Sequence, residues 1–395
     1  MPEIWTKYRL GDVVDLRKET IDPSDFHEEK YIGLEHIGQG DFLLNGIGIG
    51  SDATSNKFRF YENDVLYGKI RPYFKKVYKP KFPGICSTDI LVIKSKNDNI
   101  VLQDYLYQYI RTQFFTDKAT ESSTGTKMPR ADWGVLKKLE IQLPDLEEQQ
   151  RIASILSALD DKIELNRQIN QTLEQMTQAI YKHYFLDDID PENLPDGWRV
   201  AKIGEFAELT KESVNPSLLK TTLLQHYSIP AYDEGQTPKS ELGSEILSNK
   251  TLVEANTILF SKLNPRFPRI WIVLSAPKNS VCSTEFISFR PSASFYSLLF
   301  ALLSSKAFKE ELVPKATGTS GSHQRIRPAD VLDYEIPIKM EVVEELNLQV
   351  FPMLLMIDSN IREITNLTKV RDILLPKLIS GEILPTDLRP IEQAL

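Results

Sequence analysis

The sequence predicts an α+β protein of two similar globular domains and a pair of long coiled-coil helices, and three observations carry that expectation. The second half repeats the first, each half closes on a long heptad-patterned segment, and the stretches ahead of those segments alternate short β-type runs with turn residues. With 395 residues there is room for two to four ordinary domains at roughly 100–200 residues each. A hydrophobic fraction of 41% and a charged fraction of 26% exclude collagen-like, mucin-like and wholly disordered chains.

The repeat lies at an offset of 193. Trp5, Leu10, Gly11 and Asp12 return as Trp198, Ile203, Gly204 and Glu205, and the segment Asn63 to Pro72 returns as Asn256 to Pro265, so that Lys69 answers Lys262. After a slip of three residues Cys86-Ser87-Thr88-Asp89 reappears as Cys282-Ser283-Thr284-Glu285, and the original offset resumes at Thr124-Gly125-Thr126 and Thr317-Gly318-Thr319. In each half the short strands lead to a helical stretch, Val101 to Phe115 and Tyr296 to Leu312. The Thr-Gly-Thr loop follows, then a final strand closing on Pro, Leu139 to Pro144 and Tyr334 to Pro337.

The long helices come next. Pro144, Asp145 and Glu148 form an Asp-led start signal for a helix over 147–185. With Ile152 at heptad position a, that series is Ile152, Leu159, Asn166, Leu173 and Ile180, and the d series is Ile155, Lys162, Ile169, Met176 and His183. The second half gives Val350, Ile357, Ile364, Arg371 and Leu378 with Met353, Asn360, Leu367 and Leu374. A rod of ~58 Å is longer than one domain of this size can cover. Two such rods bury each other most economically, with Asn166 or Asn360 setting register. Antiparallel pairing places one domain at each end; parallel pairing and self-association with a second chain stay open. The second rod is expected to break at Pro376 and end by Gly381. The acidic, Pro-bearing stretch 187–197 is an exposed linker.

The net charge of −8 rules out a uniform positive field, so a polyanion partner must meet local basic strips. One such strip, Lys69 to Lys81, has six basic residues and no acid. Lys69, Arg71, Lys75 and Lys76 can neutralise phosphates or fork onto guanine, with Tyr73 available for stacking. The plain alternative is a solvated strand edge. The repeat weighs against that alternative, since Lys262, Asn264, Arg266 and Arg269 occupy the equivalent stretch, again without an acid from Thr257 to Lys278. A second basic place follows each Thr-Gly-Thr loop: Lys127 and Arg130 in one half, His323, Gln324, Arg325 and Arg327 in the other.

Catalytic patterns are weak. Two cysteines 196 residues apart and five scattered histidines make neither a CxxC-type nor an HExxH metal site, so no metal is expected. No GxxxxGK[ST] loop exists; the Gly46-x-Gly48-x-Gly50 run lacks the strand-and-helix setting of a nucleotide loop; Asn264-Pro265-Arg266-Phe267 lacks the second Pro of an amino-methyltransferase motif. Asp25 and Glu28-Glu29-Lys30 lie too close together for a metal nuclease, and His36 and His226 are single imidazoles beside apolar residues. The opening residues show no secretory or twin-Arg signal and no apolar run reaches ~20 residues, so a cytoplasmic location without a membrane partner is expected.

Taken in order, these segments resemble the specificity (S) subunit of type I restriction-modification systems over essentially the whole chain. The carrying features are the duplicated Trp…Gly-acid opening, Asn63 to Pro72 with Asn256 to Pro265, the paired Cys-Ser-Thr and Thr-Gly-Thr segments, Glu148-Gln149-Gln150-Arg151-Ile152 and Leu374 to Glu382. The resemblance implies a non-catalytic DNA reader. Its expected parts are a target-recognition domain at 1–144, a first helix at 145–186, a linker at 187–197, a second target-recognition domain at 198–340, a second helix at 341–381 and a tail at 382–395. Each domain would contact one half of a split double-stranded target, with an antiparallel helix pair setting half-sites about one turn, ~34 Å, apart. The implied partners are two methyltransferase subunits and a nuclease/translocase subunit, which would carry S-adenosylmethionine, ATP and Mg2+; this chain would carry no cofactor. A self-contained methyltransferase or nuclease, and a scaffold that never touches DNA, are the competing functions. Arg71 against Asn264, and Lys-Met-Pro-Arg against Ser-Gly-Ser-His-Gln-Arg after the loops, imply that the halves read different sequences.

Overall fold

In the computed structural model, residues 5–22, 25–187, 189–317 and 324–388 are described. By its contacts the chain divides into two compact units, Met1–Asp161 with Thr368–Leu395, and Lys162–Leu367, so each unit holds one globular domain and stretches of both long helices.

The duplication is a duplication of topology. In the first domain Thr6–Arg9 pairs antiparallel with Glu140–Leu143. A four-stranded sheet runs Val14–Arg17, Ile90–Ser95, Val65–Gly68, Val77–Tyr78, and a five-stranded sheet runs Thr20–Ile21, Lys57–Phe60, Gly84–Cys86, Lys30–Ile32, Gly48–Ile49. The second domain repeats this order. Arg199–Lys202 pairs with Glu335–Ile338; the four-stranded sheet is Ala207–Leu209, Phe286–Pro291, Thr257–Ser261, Ile270–Val273; the five-stranded sheet is Ser213–Val214, Lys250–Leu252, Ser280–Cys282, Leu223–Tyr227, Lys239–Leu242. Each five-stranded sheet has a single parallel pairing, which ends at the buried Cys86 in one and the buried Cys282 in the other. Both cysteines are spacers in a sheet core.

The helical stretch ahead of each Thr-Gly-Thr loop is two helices, not one. It splits into Gln103–Ile110 and Gln113–Glu121, and into Tyr296–Leu303 and Lys306–Leu312. Thr112 and Ser305 are extended and accept from the backbone N–H of Phe115 and Phe308, so each restarts the helix as an N-cap. The final strand of the second domain continues through Pro337 to Ile338, which a two-stranded ribbon tolerates.

The long helices span Leu146–Phe185 and Met340–Ile379. The second passes through Pro376 and stops at Gly381, whose φ of +70° ends it while Glu382 N–H donates to the Lys377 carbonyl. In the second unit the helices run antiparallel, with Asn166 facing Glu363, Asn170 facing Asn360, Thr177 facing Met353 and Tyr184 facing Glu345. The seam of the first helix differs from the expected one. It comprises Ile152, Leu156, Leu159, Ile163, Asn166 and Thr177, whereas Lys162, Met176 and His183 are exposed. Ile152 and its series are therefore position d, and the companions lie at i+4 rather than i+3. Ile155 and Leu156 are adjacent apolar residues, and a one-residue choice between them rotates the stripe by about 100°. In the second helix Val350, Ile357, Arg371 and Leu378 of the expected a series are buried, but of the expected d series only Asn360 is, and Leu354 and Leu375, at i+4, are buried in place of Met353 and Leu374.

Candidate nucleic-acid interface

Three segments of the first domain are sewn together around the expected basic strip. Gly68 N–H donates to the Lys76 carbonyl, closing a loop over 69–75 that turns through left-handed residues at Arg71 and Lys75. Lys69 N–H bonds the Asp89 carbonyl, Ala131 N–H bonds the Lys69 carbonyl, and Arg71 N–H bonds the Pro129 carbonyl. Arg130 forms β-bridges with both Ile70 and Thr124. The Lys69 ammonium donates to the Thr88 carbonyl at 2.7 Å and stands 3.5 Å from Asp89 Oδ1, with Arg130 Nε 3.6 Å from the same oxygen. Lys69 and Arg130 border a cleft of about 540 Å³ that also meets Lys18, Trp133 and Lys137. At the loop tip Tyr73 is 52% exposed and edge-on to Phe74, over which the Arg71 guanidinium lies at 5.9 Å. Lys127 is exposed on the neighbouring hairpin.

The second domain rebuilds the same cradle. Lys262 N–H bonds the Glu285 carbonyl, Ile326 N–H bonds the Lys262 carbonyl, and Asn264, left-handed like Arg71, donates its N–H to the Gln324 carbonyl. Arg325 bridges Leu263 and Thr317, so it is the partner of Arg130 in the repeat. Here the ion pair is tight. Arg325 Nε and Nη2 donate to the two Glu285 carboxylate oxygens at 3.0 and 3.1 Å, and those bonds hold the Glu285 carboxyl below its ordinary range. Arg327 makes the same fork with Asp330, at 3.0 and 2.7 Å. Arg266 is exposed beside Phe267, itself 68% exposed. His323 lies outside the described residues.

Two residues leave the candidate surface. The Lys76 ammonium donates to the carbonyls of Leu34 and Ile37, both at 2.6 Å, and burial lowers its pKa. Its counterpart Arg269 is forked onto Asp233 at 2.6 and 2.9 Å. Both cations are drawn onto internal acceptors, and Arg269 is only 20% exposed, so neither is presented to a phosphate; the acid-free stretch around Arg269 hid this because Asp233 arrives from another element. Lys75 is half-buried, its ammonium 5.6 Å from the Phe42 ring and its pKa lowered chiefly by burial. Asn166 and Asn360, expected to set register, both lie in the seam of the helix pair, as described above.

Asp89, Glu285, Asp330 and Phe267 were not anticipated as parts of the site. The first two had a signal: an acid follows Cys-Ser-Thr in both halves. The result is a twin arrangement in which each domain projects a left-handed loop tip, exposed aromatic and cationic groups, and a Lys–acid–Arg cluster. Among the described residues, no group of three or more His, Cys, Asp or Glu could hold a metal, and no helix is long and apolar enough to cross a membrane.

The fold and the twin clusters define a tandem α+β protein with one cationic surface site per domain. The family model of the type I restriction modification DNA specificity domain matches residues 2–175 and 195–338, and the chain belongs to this family. It is 35% identical over 195 residues to the type I restriction enzyme HindI specificity subunit of Haemophilus influenzae, covering 47% of this chain and 42% of that subunit. It is 25% identical over 306 residues to the MjaIX specificity subunit of Methanocaldococcus jannaschii, covering 72% and 69%. The matched segment thus spans under half the length of the first relative. Among solved structures, the S subunit of a type I restriction-modification system from M. genitalium has the same fold, with a TM-score of 0.62 at 17% identity over 95% of this chain and 96% of that one.

Proposed function

We propose that this chain is the DNA-specificity subunit of a type I restriction-modification complex, a reader without chemistry of its own. Each domain engages one half of a bipartite double-stranded target, and the long helices set the spacer between the halves. Two methyltransferase subunits and a nuclease/translocase subunit complete the assembly in the cytoplasm, and S-adenosylmethionine, ATP and Mg2+ belong to them. The carrying observation is that the repeat preserves a Lys–acid–Arg cluster and a protruding loop at the same topological place in both domains. A scaffold has no need of either.

Salt-dependent DNA binding, measured on the chain assembled with its methyltransferase partner, tests this. Each phosphate contact adds about 0.9 to the slope of log affinity against log salt on duplex DNA. Lys262→Ala with Arg266→Ala should reduce the slope by about two, while Lys76→Ala and Arg269→Ala, which break internal pairs, should leave it unchanged. Binding that ignores salt, or a slope equally indifferent to both sets, would overturn the proposal.

A further inference from the structure

The two cradles differ in one respect that bears on what each domain reads. A guanidinium has two edges that can fork, one formed by Nε and Nη2 and one by Nη1 and Nη2. Glu285 occupies the first edge of Arg325 and Asp330 occupies the first edge of Arg327, and among the described residues no group bonds the Nη1–Nη2 edge of either. Both side chains are exposed, 49% and 72%. They sit at i and i+2 around the buried Ile326, so they lie on one side of the chain. A carboxylate beside each of them weakens attraction for phosphate. It also fixes the plane and direction of the guanidinium, which a phosphate contact does not require. The free edge is the one that matches the O6 and N7 acceptors of guanine in the major groove.

The first domain has no such pair. Arg130 Nε is 3.6 Å from Asp89, beyond hydrogen-bond range, and shares that oxygen with Lys69. The position of Arg327 is taken by Asp132, whose carboxylate accepts from Gly134 N–H at 2.7 Å as a helix N-cap.

We propose that Arg325 and Arg327 read guanine in the half-site bound by the second domain, and that Glu285 and Asp330 are positioning residues that aim them. The inference rests on the chain being a DNA reader and adds the base that one domain selects. Arg266 and Lys262, which carry no fork, supply phosphate contacts.

The test is selection from a pool of random duplexes by the full chain assembled with its methyltransferase partner, comparing wild type with Arg325→Lys, Glu285→Gln, Glu285→Asp and Asp89→Asn. The wild type should select a bipartite motif with guanine in one half. Arg325→Lys and Glu285→Gln should each lower the preference for one guanine in that half by about tenfold or more, with the other half unchanged. Affinity for unselected duplex at fixed salt should hold for Arg325→Lys and hold or rise for Glu285→Gln. Glu285→Asp should retain the preference, and Asp89→Asn should not touch that guanine. An even loss across all positions would mark a merely structural role and overturn the proposal, as would a wild-type motif left intact by Arg325→Lys and Glu285→Gln. A wild-type complex that selects no motif would overturn the DNA-reading function itself.

Discussion

The two domains share a backbone and differ in their wiring. Strand order, the lone parallel pairing and the Thr112/Ser305 caps are common to both. One buried polar arrangement is shared too: Lys57 donates to the carbonyl and hydroxyl of Ser55, and Lys250 does the same to Ser248. Against the long helices, however, the domains use different chemistry. The first docks through charge. Arg111, fully buried, forks onto Asp160 of the first helix, Arg371 of the second helix reaches the same carboxylate, and both guanidinium groups lie over the Phe42 ring, at 4.1 and 5.0 Å. In the second domain Ser304 stands where Arg111 does, and among the described residues no ion pair joins the domain to the helices: Ser297 meets Asn347 at 2.6 Å, Gln178 meets the Ala301 carbonyl at 3.0 Å, and the Arg362 guanidinium donates to the neutral Ser275 hydroxyl. Backbone pairing and apolar pattern are what the duplication must keep. Polar side chains are free to diverge, and that freedom is what the proposed reading of two different half-sites requires.

The difference in docking predicts unequal fragility. Asp160→Ala strands the buried Arg111 guanidinium, leaves Arg371 with Asp372 alone, and should cost the first unit about 3–5 kcal/mol. Ser297→Ala removes one neutral hydrogen bond and should cost the second unit about 1 kcal/mol. Urea unfolding followed at Trp5 and Trp133 in the first domain and at Trp198 and Trp271 in the second separates the two. Equal costs would erase the distinction between charged and neutral docking.

A smaller effect concerns the helix pair within the second unit. Asn170 and Asn360 satisfy each other across the seam at 2.8 Å, in place of the apolar contact the heptad would otherwise make. Replacing both with Leu should raise the stability of that unit by about 1–2 kcal/mol while loosening register, because a paired buried amide specifies alignment at a cost in stability. Thermal unfolding checks the first consequence. Cross-linking of cysteines placed at Thr177 and Met353, which face each other in the native register, checks the second. A double variant that is less stable and stays in register would show that the amides serve stability alone.

Sequence reasoning reaches the duplicated topology because its carriers are local and repeated: Trp5 with Trp198, the two Cys-Ser-Thr turns and the long heptad runs. It reaches the cradle for the same reason, since Lys69 and Lys262 end strands that pair in the same register. What it misses is non-local. Arg269 looks free until Asp233 arrives from 36 residues away, and Lys76 until the carbonyls of Leu34 and Ile37 close on it. The seam of the first helix slips because Ile155 and Leu156 are equally apolar and only packing chooses between them. The forks on Glu285 and Asp330 illustrate the remaining gap: residue type shows a charge, but only geometry shows which edge of a guanidinium remains available.

The mildest expected effect is acid sensitivity confined to the second domain. His226 lies on the strand Leu223–Tyr227 with Nδ1 2.6 Å from Glu241 and Nε2 buried without a hydrogen-bond partner. Burial lowers its pKa. Glu241 opposes that shift without reversing it, and Lys250 reinforces it. A folded-state pKa below the unfolded value of about 6.5 means that the unfolded chain takes up the proton first. Stability is therefore lost as pH falls from about 6.5 through the folded value. The first domain has Tyr31 at the same place beside its parallel strand, so it lacks this loss. Trp271, whose ring is 4.7 Å from Tyr227, reports the second domain directly. Its urea midpoint should fall between pH 7.5 and 5.5 more than that of Trp133, and His226→Tyr should remove the excess. Matching midpoints at both tryptophans, or an excess that survives His226→Tyr, would move the acid response away from this imidazole and onto charges the two domains hold in common.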